Sequence, residues 1–198
     1  MTEEPLRLTV IIGSTRDGRF APVVADWFAG QARMRAYADV DVIDLAEAWL
    51  PDVLPADDAT ELPQPVRDLQ PWLARADAFV VVTPEYNHSF PAALKNAIDW
   101  FFDEWQAKPV GYVSYGGVSG GLRAVEQLKL VFNELHATSV RTGVCFVGGS
   151  DCFDADGGPR EPERCERAAK AMLDEIAWWA DALRRQRARR PYRAGGAE

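Results

Sequence analysis

The sequence predicts an α/β fold, a doubly wound parallel sheet of five strands with helices on both faces. Three observations carry that prediction. Short β-rich apolar runs end at glycine, proline or a polar loop. Stretches with helical spacing of apolar residues alternate with them, which implies parallel strands joined by crossover helices. No internal repeat and no linker interrupts the series, so residues 1–198 read as a single domain.

The first strand runs from Leu6 to Ile12 and stops at Gly13. A helix follows, with Phe20, Val23, Val24, Trp27, Phe28 and Met34 on one face and Pro22 in its first turn. Val40 to Leu45 is the second strand. The acidic stretch Ala46 to Pro65 carries Pro51, Pro55, Pro63 and Pro65 and reads as a loop long enough to serve as a lid. Val66 to Arg75 is a helix, and Ala78 to Thr83 is a strongly apolar strand. Ser89 can cap the next helix, with Pro91 in its first turn. The apolar residues Phe90, Leu94, Ala97, Ile98, Trp100, Phe101, Phe102 and Trp105 cover more of that helix than one core contact needs. Val110 to Tyr115 is the fourth strand, Leu122 to His136 a helix, and Val140 to Val147 the fifth strand. A polar loop from Gly148 leads to a last helix bearing Met172, Leu173, Ile176, Trp179 and Leu183. The Arg-rich tail from Arg184 reads as a frayed, solvated helix end, with an acidic partner as the alternative.

Composition narrows the classes of function. The formal net charge of -8 argues against a nucleic-acid footprint. No apolar run approaches the ~18 residues of a membrane span. The start Met1-Thr2-Glu3-Glu4-Pro5 has no apolar signal region, so no export is expected. Cys145, Cys152 and Cys165 are three in number and widely spaced, which suits a reducing cytoplasm better than a disulfide framework.

Open α/β sheets bind ligands outside the carboxyl ends of their strands. Three loops lie there. In the first, Gly13 permits a sharp turn and close approach, Ser14 and Thr15 offer hydroxyls, and Arg16 and Arg19 supply positive forks for a phosphate. The helix beginning at Phe20 and Ala21 points its free N–H groups to the same place. An ordinary polar turn is the alternative. The second loop, Pro84-Glu85-Tyr86-Asn87-His88, offers a stiff backbone edge and a planar ring for a flat heterocycle; a capped turn before a helix is the alternative. The third runs from Ser114 and Tyr115 through Gly116 and Gly117 to Gly121.

Other chemistries fit less well. The first loop lacks the Lys-Ser/Thr ending of a nucleoside-triphosphate loop and the G-x-G-x-x-G of a dinucleotide site. Gly117-Val118-Ser119-Gly120-Gly121 matches a G-x-S-x-G nucleophile elbow, but His136 is the only later histidine and no Asp lies between. The aspartates at 151, 154 and 156 depart from calcium-loop spacing. Two histidines and scattered cysteines form no zinc pattern, so no metal is expected.

Gly13-Ser14-Thr15-Arg16, Thr83-Pro84-Glu85-Tyr86-Asn87, Leu94-Lys95-Asn96-Ala97-Ile98-Asp99-Trp100 and Ser114-Tyr115-Gly116-Gly117 together resemble the NADPH-dependent FMN reductases, a group of quinone, azo and chromate reductases. The resemblance covers Leu6 to Val147 in order and spacing. It implies a flavodoxin-like sheet of order 2-1-3-4-5 and bound FMN. It implies that Ser14, Thr15 and Arg16 hold the phosphate, that Pro84 to Asn87 frame the isoalloxazine, and that Ser114 to Gly117 close the other side. It implies NADPH or NADH as co-substrate, a small acceptor (quinone, free flavin, azo compound or metal ion), and a homodimer or homotetramer. The wide apolar face from Phe90 to Trp105 would suit the subunit interface. Tyr86, His88 and Tyr115 are candidates to shape the acceptor site. Asp17 beside the phosphate loop, and Arg19 where many relatives have a small residue, depart from the pattern. A flavodoxin-type electron carrier and an FMN-binding redox sensor are the alternative readings.

Overall fold

The computed structural model describes residues 4–55 and 61–193. Four strands, β1 (Leu6–Ile12), β2 (Ala38–Asp44), β3 (Ala78–Pro84) and β4 (Pro109–Gly116), pair in parallel in the order β2-β1-β3-β4. The fifth position is shared by two short strands, β5 (Thr138–Ser139) and β6 (Val144–Val147), both paired with β4. The order 2-1-3-4-5 expected from the resemblance is therefore observed, with its last position divided.

Period-two alternation distributes the core over two faces. Val10, Ile12, Val80, Val82 and Val113 pack on one side with α1 (Ala21–Arg33) and α5 (Pro162–Arg189). Ile11, Phe79, Val81, Val110 and Tyr112 pack on the other with α2 (Gln64–Arg75), α3 (Ala92–Trp100) and α4 (Leu122–Glu134). Every residue of β3 is buried, as expected for a strand covered on both faces.

The single fifth strand expected over Val140–Val147 breaks because a carboxylate from a distant helix takes two of its N–H groups. Val140 N still donates to Val110 O at 2.9 Å, but the next two N–H groups leave the ladder. Arg141 N and Thr142 N donate to the Glu175 carboxylate of α5, at 2.8 and 2.9 Å. Burial works against that carboxylate, yet these donors hold its pKa below the ordinary value.

The helix expected to run on to Trp105 also ends early. Pro91 is the N-cap of α3 and Ser89 belongs to a preceding turn. Phe101 is extended, and the chain doubles back. Trp105 returns to the core, 2% exposed, its indole N–H on Ile98 O at 3.2 Å and its ring edge-on to Phe79 and Phe132. Phe101 is likewise buried. The wide apolar face is thus mostly internal packing, and only Phe102 of its large residues is exposed.

Two further segments are more fixed than their composition suggests. In the Pro-rich stretch after β2, the Pro51 carbonyl accepts from Asn96 Nδ2 and Trp100 Nε1, both at 2.8 Å, which pins this stretch to α3. The rest of the expected lid, residues 56–60, lies outside the described residues. The Arg-rich tail is helical to Arg189 rather than frayed from Arg184. Arg187 bonds Ala107 O at 2.6 Å and Asp77 at 3.1 Å, and Arg184 lies 3.5 Å from Asp77. Arg184 and Arg187 thus have an acidic partner, Asp77, within the chain; residues 194–198 of the tail lie outside the described residues. Among the described residues no helix is long and apolar enough to cross a membrane, and no cluster of His, Cys, Asp and Glu is placed to hold a metal ion.

Beside that tail, Lys108 is 5% exposed and its Nζ donates to Leu73 O and Ala74 O at the end of α2, at 2.9 Å each. Burial first, then Arg187, pulls its pKa from 10.5 down to about 8. The unfolded chain therefore holds more protons than the folded one between those two values. The cost of burying the charge is fully present below pH 8 and is relieved as pH rises through the window. Relative to Lys108→Met, the parent should gain on the order of 3 kcal/mol between pH 8 and 10.5 in urea unfolding. Parallel curves would remove Lys108 as the cause. Trp105→Ala should cost about 3–5 kcal/mol by the same measurement, the range for emptying a packed aromatic site.

Candidate functional site

The carboxyl ends of β1, β3 and β4 lie side by side, and their loops are knitted together by hydrogen bonds. Gly13 N donates to Val82 O at 2.9 Å, tying the first loop to β3. A Cβ at Gly13 would stand 3.0 Å from Leu94 Cδ2 and 3.2 Å from Val82 O. A side chain there would press on α3 and β3, so the glycine lets the loop lie close against both. The loop turns at residues 16–19, where Arg19 N donates to Arg16 O, and then enters α1 with Phe20 as N-cap and Ala21 as first residue.

The chemistry of this loop is divided between a buried and an open half. Ser14 is fully buried, and its hydroxyl shares a 2.8 Å hydrogen bond with the Tyr86 hydroxyl. Thr15 and Arg16 are exposed. Arg19 is engaged elsewhere: it makes a two-pronged ion pair with Asp44 of β2, at 2.5 and 2.7 Å, and its Nη1 also donates to Ser14 O at 2.9 Å. That hydrogen-bonded pairing with Asp44 raises the Arg19 pKa. Arg19 thus braces the loop across two strands, a placement unlike the free phosphate fork expected for it.

In the second loop, Pro84 ends β3 and Glu85 N donates to Tyr115 O at 3.2 Å. Tyr86 and Ser89 then exchange backbone bonds, Tyr86 N to Ser89 O at 2.8 Å and the reverse at 3.0 Å. Asn87 and His88 between them have φ of +48° and +73°. This is the geometry of a two-residue hairpin turn with both central residues left-handed, which places Asn87 and His88 at the exposed tip.

The third loop follows β4. Ser114 and Tyr115 are buried, Gly116 is half-buried and Gly117 is exposed. Burial, and then the neighbouring Tyr86, raise the Tyr115 phenol pKa, while Ser14 and Arg19 pull against them. Tyr115 is therefore a neutral phenol near neutral pH, with Phe20 edge-on at 6.2 Å. Gly121, the N-cap of α4, has φ of +88°, and a Cβ there would lie 2.7 Å from Ser114 Cβ. Only glycine fits. Ser119, which sat in the G-x-S-x-G pattern, donates its hydroxyl to Glu85, and His136 shares a 2.9 Å bond with Tyr192. No hydrolase triad is assembled around Ser119.

Fourteen expected cofactor residues thus occupy one strand-end cluster, from Ser14–Arg16 and Arg19–Ala21 through Pro84–Asn87 to Ser114–Gly117. Asp44, Arg123 and Gln127 were not singled out by the sequence, and Ser119 stood out only through its G-x-S-x-G match. Arg123 and Gln127 are one helical turn apart after the glycine loop, but nothing local indicates that their partners lie near residue 85.

The site suits FMN. The guanidinium of Arg16 has no hydrogen bond or ion pair among the described residues. Beside it the start of α1 has no side-chain cap and no acid in its first turn. Exposed hydroxyl, unpaired cation and free helix N–H groups are the donors a phosphate monoester takes up. The flat backbone edges of the second and third loops and the phenols of Tyr86 and Tyr115 suit a planar ring.

The chain is similar in sequence or fold to several known reductases. A relative from Schizosaccharomyces pombe, an NAD(P)H-dependent FMN reductase, is 38% identical over 134 residues, spanning 63% of this chain and 64% of its own. The Escherichia coli K12 quinone reductase is 34% identical over 155 residues, 74% of this chain and 79% of its own. An FMN-dependent NADPH-azoreductase of Staphylococcus haemolyticus is 30% identical over 178 residues, 84% of this chain and 91% of its own. Among solved structures, an NAD(P)H:(acceptor) oxidoreductase flavoenzyme from Paracoccus denitrificans shares the fold, with a TM-score of 0.69 at 23% identity over 91% of this chain and 98% of that one. The NADPH-dependent FMN reductase family matches residues 6–151, the whole stretch from β1 through the three loops. With the sheet order, the loops and these sequence matches in accord, the chain belongs to the NADPH-dependent FMN reductase family.

Proposed function

We propose that this chain is an FMN-dependent NAD(P)H oxidoreductase that passes two electrons from NADPH or NADH to a small acceptor such as a quinone or azo compound. The observation that carries this reading is the convergence of three loops on one strand-end cluster, with an unpaired Arg16 beside an uncapped helix start. The family match over the same stretch supports it. The bound flavin supplies the hydride and electron chemistry; the protein binds, orients and tunes it.

The residues divide that work. Thr15, Arg16 and the N–H groups of Phe20 and Ala21 take the phosphate, with Ser14 lending its backbone while its hydroxyl is shared with Tyr86. Arg19 acts at one remove, holding the loop through Asp44. Pro84, Glu85, Tyr86 and Asn87 give one edge of the ring site, and Ser114, Tyr115, Gly116 and Gly117 give the other. His88, exposed at the turn tip, faces the incoming acceptor together with Tyr86 and Tyr115. Tyr115 as a neutral phenol is a hydrogen-bond donor there, and no side-chain nucleophile is required.

The whole chain works as one flavin-binding domain in the cytoplasm, as a homodimer or homotetramer. Trp49, 80% exposed, with Val53 and Leu54 beside it in sequence, offers apolar surface for self-association where the Phe90–Trp105 face does not.

The purified protein should quench FMN fluorescence saturably and oxidise NAD(P)H in steady state when a quinone is added. A colourless protein without that turnover would sink the reading; flavin binding without turnover would favour an electron carrier. Arg16→Ala should weaken FMN binding about tenfold or more, the range for losing a charge-assisted hydrogen bond. Arg19→Ala should weaken FMN less and lower the melting temperature more, because its partner Asp44 is left unpaired. Unchanged FMN affinity in Arg16→Ala would refute the phosphate role.

A further inference from the structure

Beyond their own backbone bonds, the loops after β3 and β4 are tied to the first two turns of α4. Glu85 is the hub. Its carboxylate accepts the Ser119 hydroxyl, the Arg123 backbone N–H at 3.2 Å and the Arg123 guanidinium at 3.1 Å. Its side chain is only 10% exposed although Arg123 is nearly half exposed. The Ser119 bond, followed by those of Arg123, holds its carboxyl below the ordinary range, so it is ionised at neutral pH.

One helical turn further on, Gln127 uses both ends of its amide on the adjacent turn. Its Nε2 donates to His88 O at 2.8 Å, and its Oε1 accepts the Ser89 hydroxyl at 2.6 Å. These bonds fall on the residues that need support. Asn87 and His88 are both left-handed, a conformation costing about 1–2 kcal/mol per non-glycine residue. A side chain that bonds the His88 carbonyl and the Ser89 hydroxyl together favours that turn over its relaxed alternatives. The same set explains Ser119: its hydroxyl serves Glu85 while also lying 3.4 Å from Gly121 N at the start of α4.

We propose that Glu85, Ser119, Arg123 and Gln127 form a clamp by which α4 sets the relative position of the Glu85–Ser89 turn and the Gly116–Gly121 loop, and thereby the affinity and reduction potential of the flavin. Ser119, Arg123 and Gln127 are positioning residues. The proposal rests on the reading of these loops as the flavin site. It concerns the ring end of that site, whereas Arg16 tests the phosphate end.

The test uses the full chain reconstituted with FMN, comparing Ser119→Ala, Ser119→Thr and Gln127→Ala with the parent. Fluorescence quenching gives the affinity for oxidised FMN, and equilibration with a reference dye gives the midpoint potential. Ser119→Ala and Gln127→Ala should each weaken oxidised FMN about 3- to 10-fold, the range for losing one or two hydrogen bonds. The reduced form should weaken by a different factor, so the potential moves; a tenfold difference between the factors equals about 30 mV for two electrons. Ser119→Thr keeps the hydroxyl and should restore both values. The proposal is overturned if neither variant weakens FMN, if both flavin forms weaken equally with the potential unmoved, or if Ser119→Thr behaves as Ser119→Ala does. Gln127, half-buried on the helix surface, keeps the test open if a Ser119 variant does not fold. If Arg16→Ala also leaves FMN affinity unchanged, the site reading itself has failed; if Arg16→Ala weakens FMN and these variants do not, the clamp alone has failed.

Discussion

The structure depends on the burial of both faces of its three central parallel strands. β1, β3 and β4 carry apolar residues at successive positions, so helices must cover each side. Parallel strands joined by covering helices all point their carboxyl ends the same way. The loops after β1, β3 and β4 are therefore brought to one edge whatever their own sequences. The register confirms how closely they meet: Thr83 and Pro84 pair directly with Ser114 and Tyr115. The three loops become neighbours because the sheet leaves them no other arrangement.

On that frame, charged side chains hold the loops, and each has its partner on a different element. Arg19 reaches from the first loop to Asp44 on β2. Glu85 reaches from the second loop to α4. Glu175 reaches from α5 to the gap between β5 and β6. At the opposite end of the sheet Asp77 gathers Arg184, Arg187 and the N–H of Arg7. The carboxylates involved are largely screened from solvent, with Asp44 15%, Glu85 10% and Asp77 12% exposed. Their value here is geometric, since each removes a freedom that a loop or helix end would otherwise keep. Arg16 differs from Arg19 in this respect: its guanidinium has no partner among the described residues, whereas Arg19 braces the loop.

Most of the fold was legible because it rests on periodicity. The alternation that buries Val80 and Val82 on one side and Phe79 and Val81 on the other needs no knowledge of distant contacts. The errors fell where a distant partner overrode a local pattern. The run Val140–Val147 has strand composition throughout, but Glu175 takes two of its N–H groups. The helical pattern through Trp105 stops at Trp100, because Trp105 gains more by filling the space between Phe79 and Phe132. Ser89 has the composition of a helix cap, yet its hydroxyl is used by Gln127 from 38 residues away.

By itself, the sequence determined the fold class, the three strand-end loops and, through its motifs, the family. These are local properties: side-chain period, glycine and proline placement, and short runs whose chemistry is complete within a few residues. Only the tertiary structure decided which arginine of the first loop is paired within the chain, why Gly121 is a glycine, and what Ser119 and the Glu85 carboxylate bond. Those answers turn on contacts made in space, from Gly121 with Ser114 in the preceding strand to Arg19 with Asp44 and Glu85 with Ser119 on separate elements. A hydrogen bond is selected by distance and direction in space, and neither is carried by the spacing of residues along the chain.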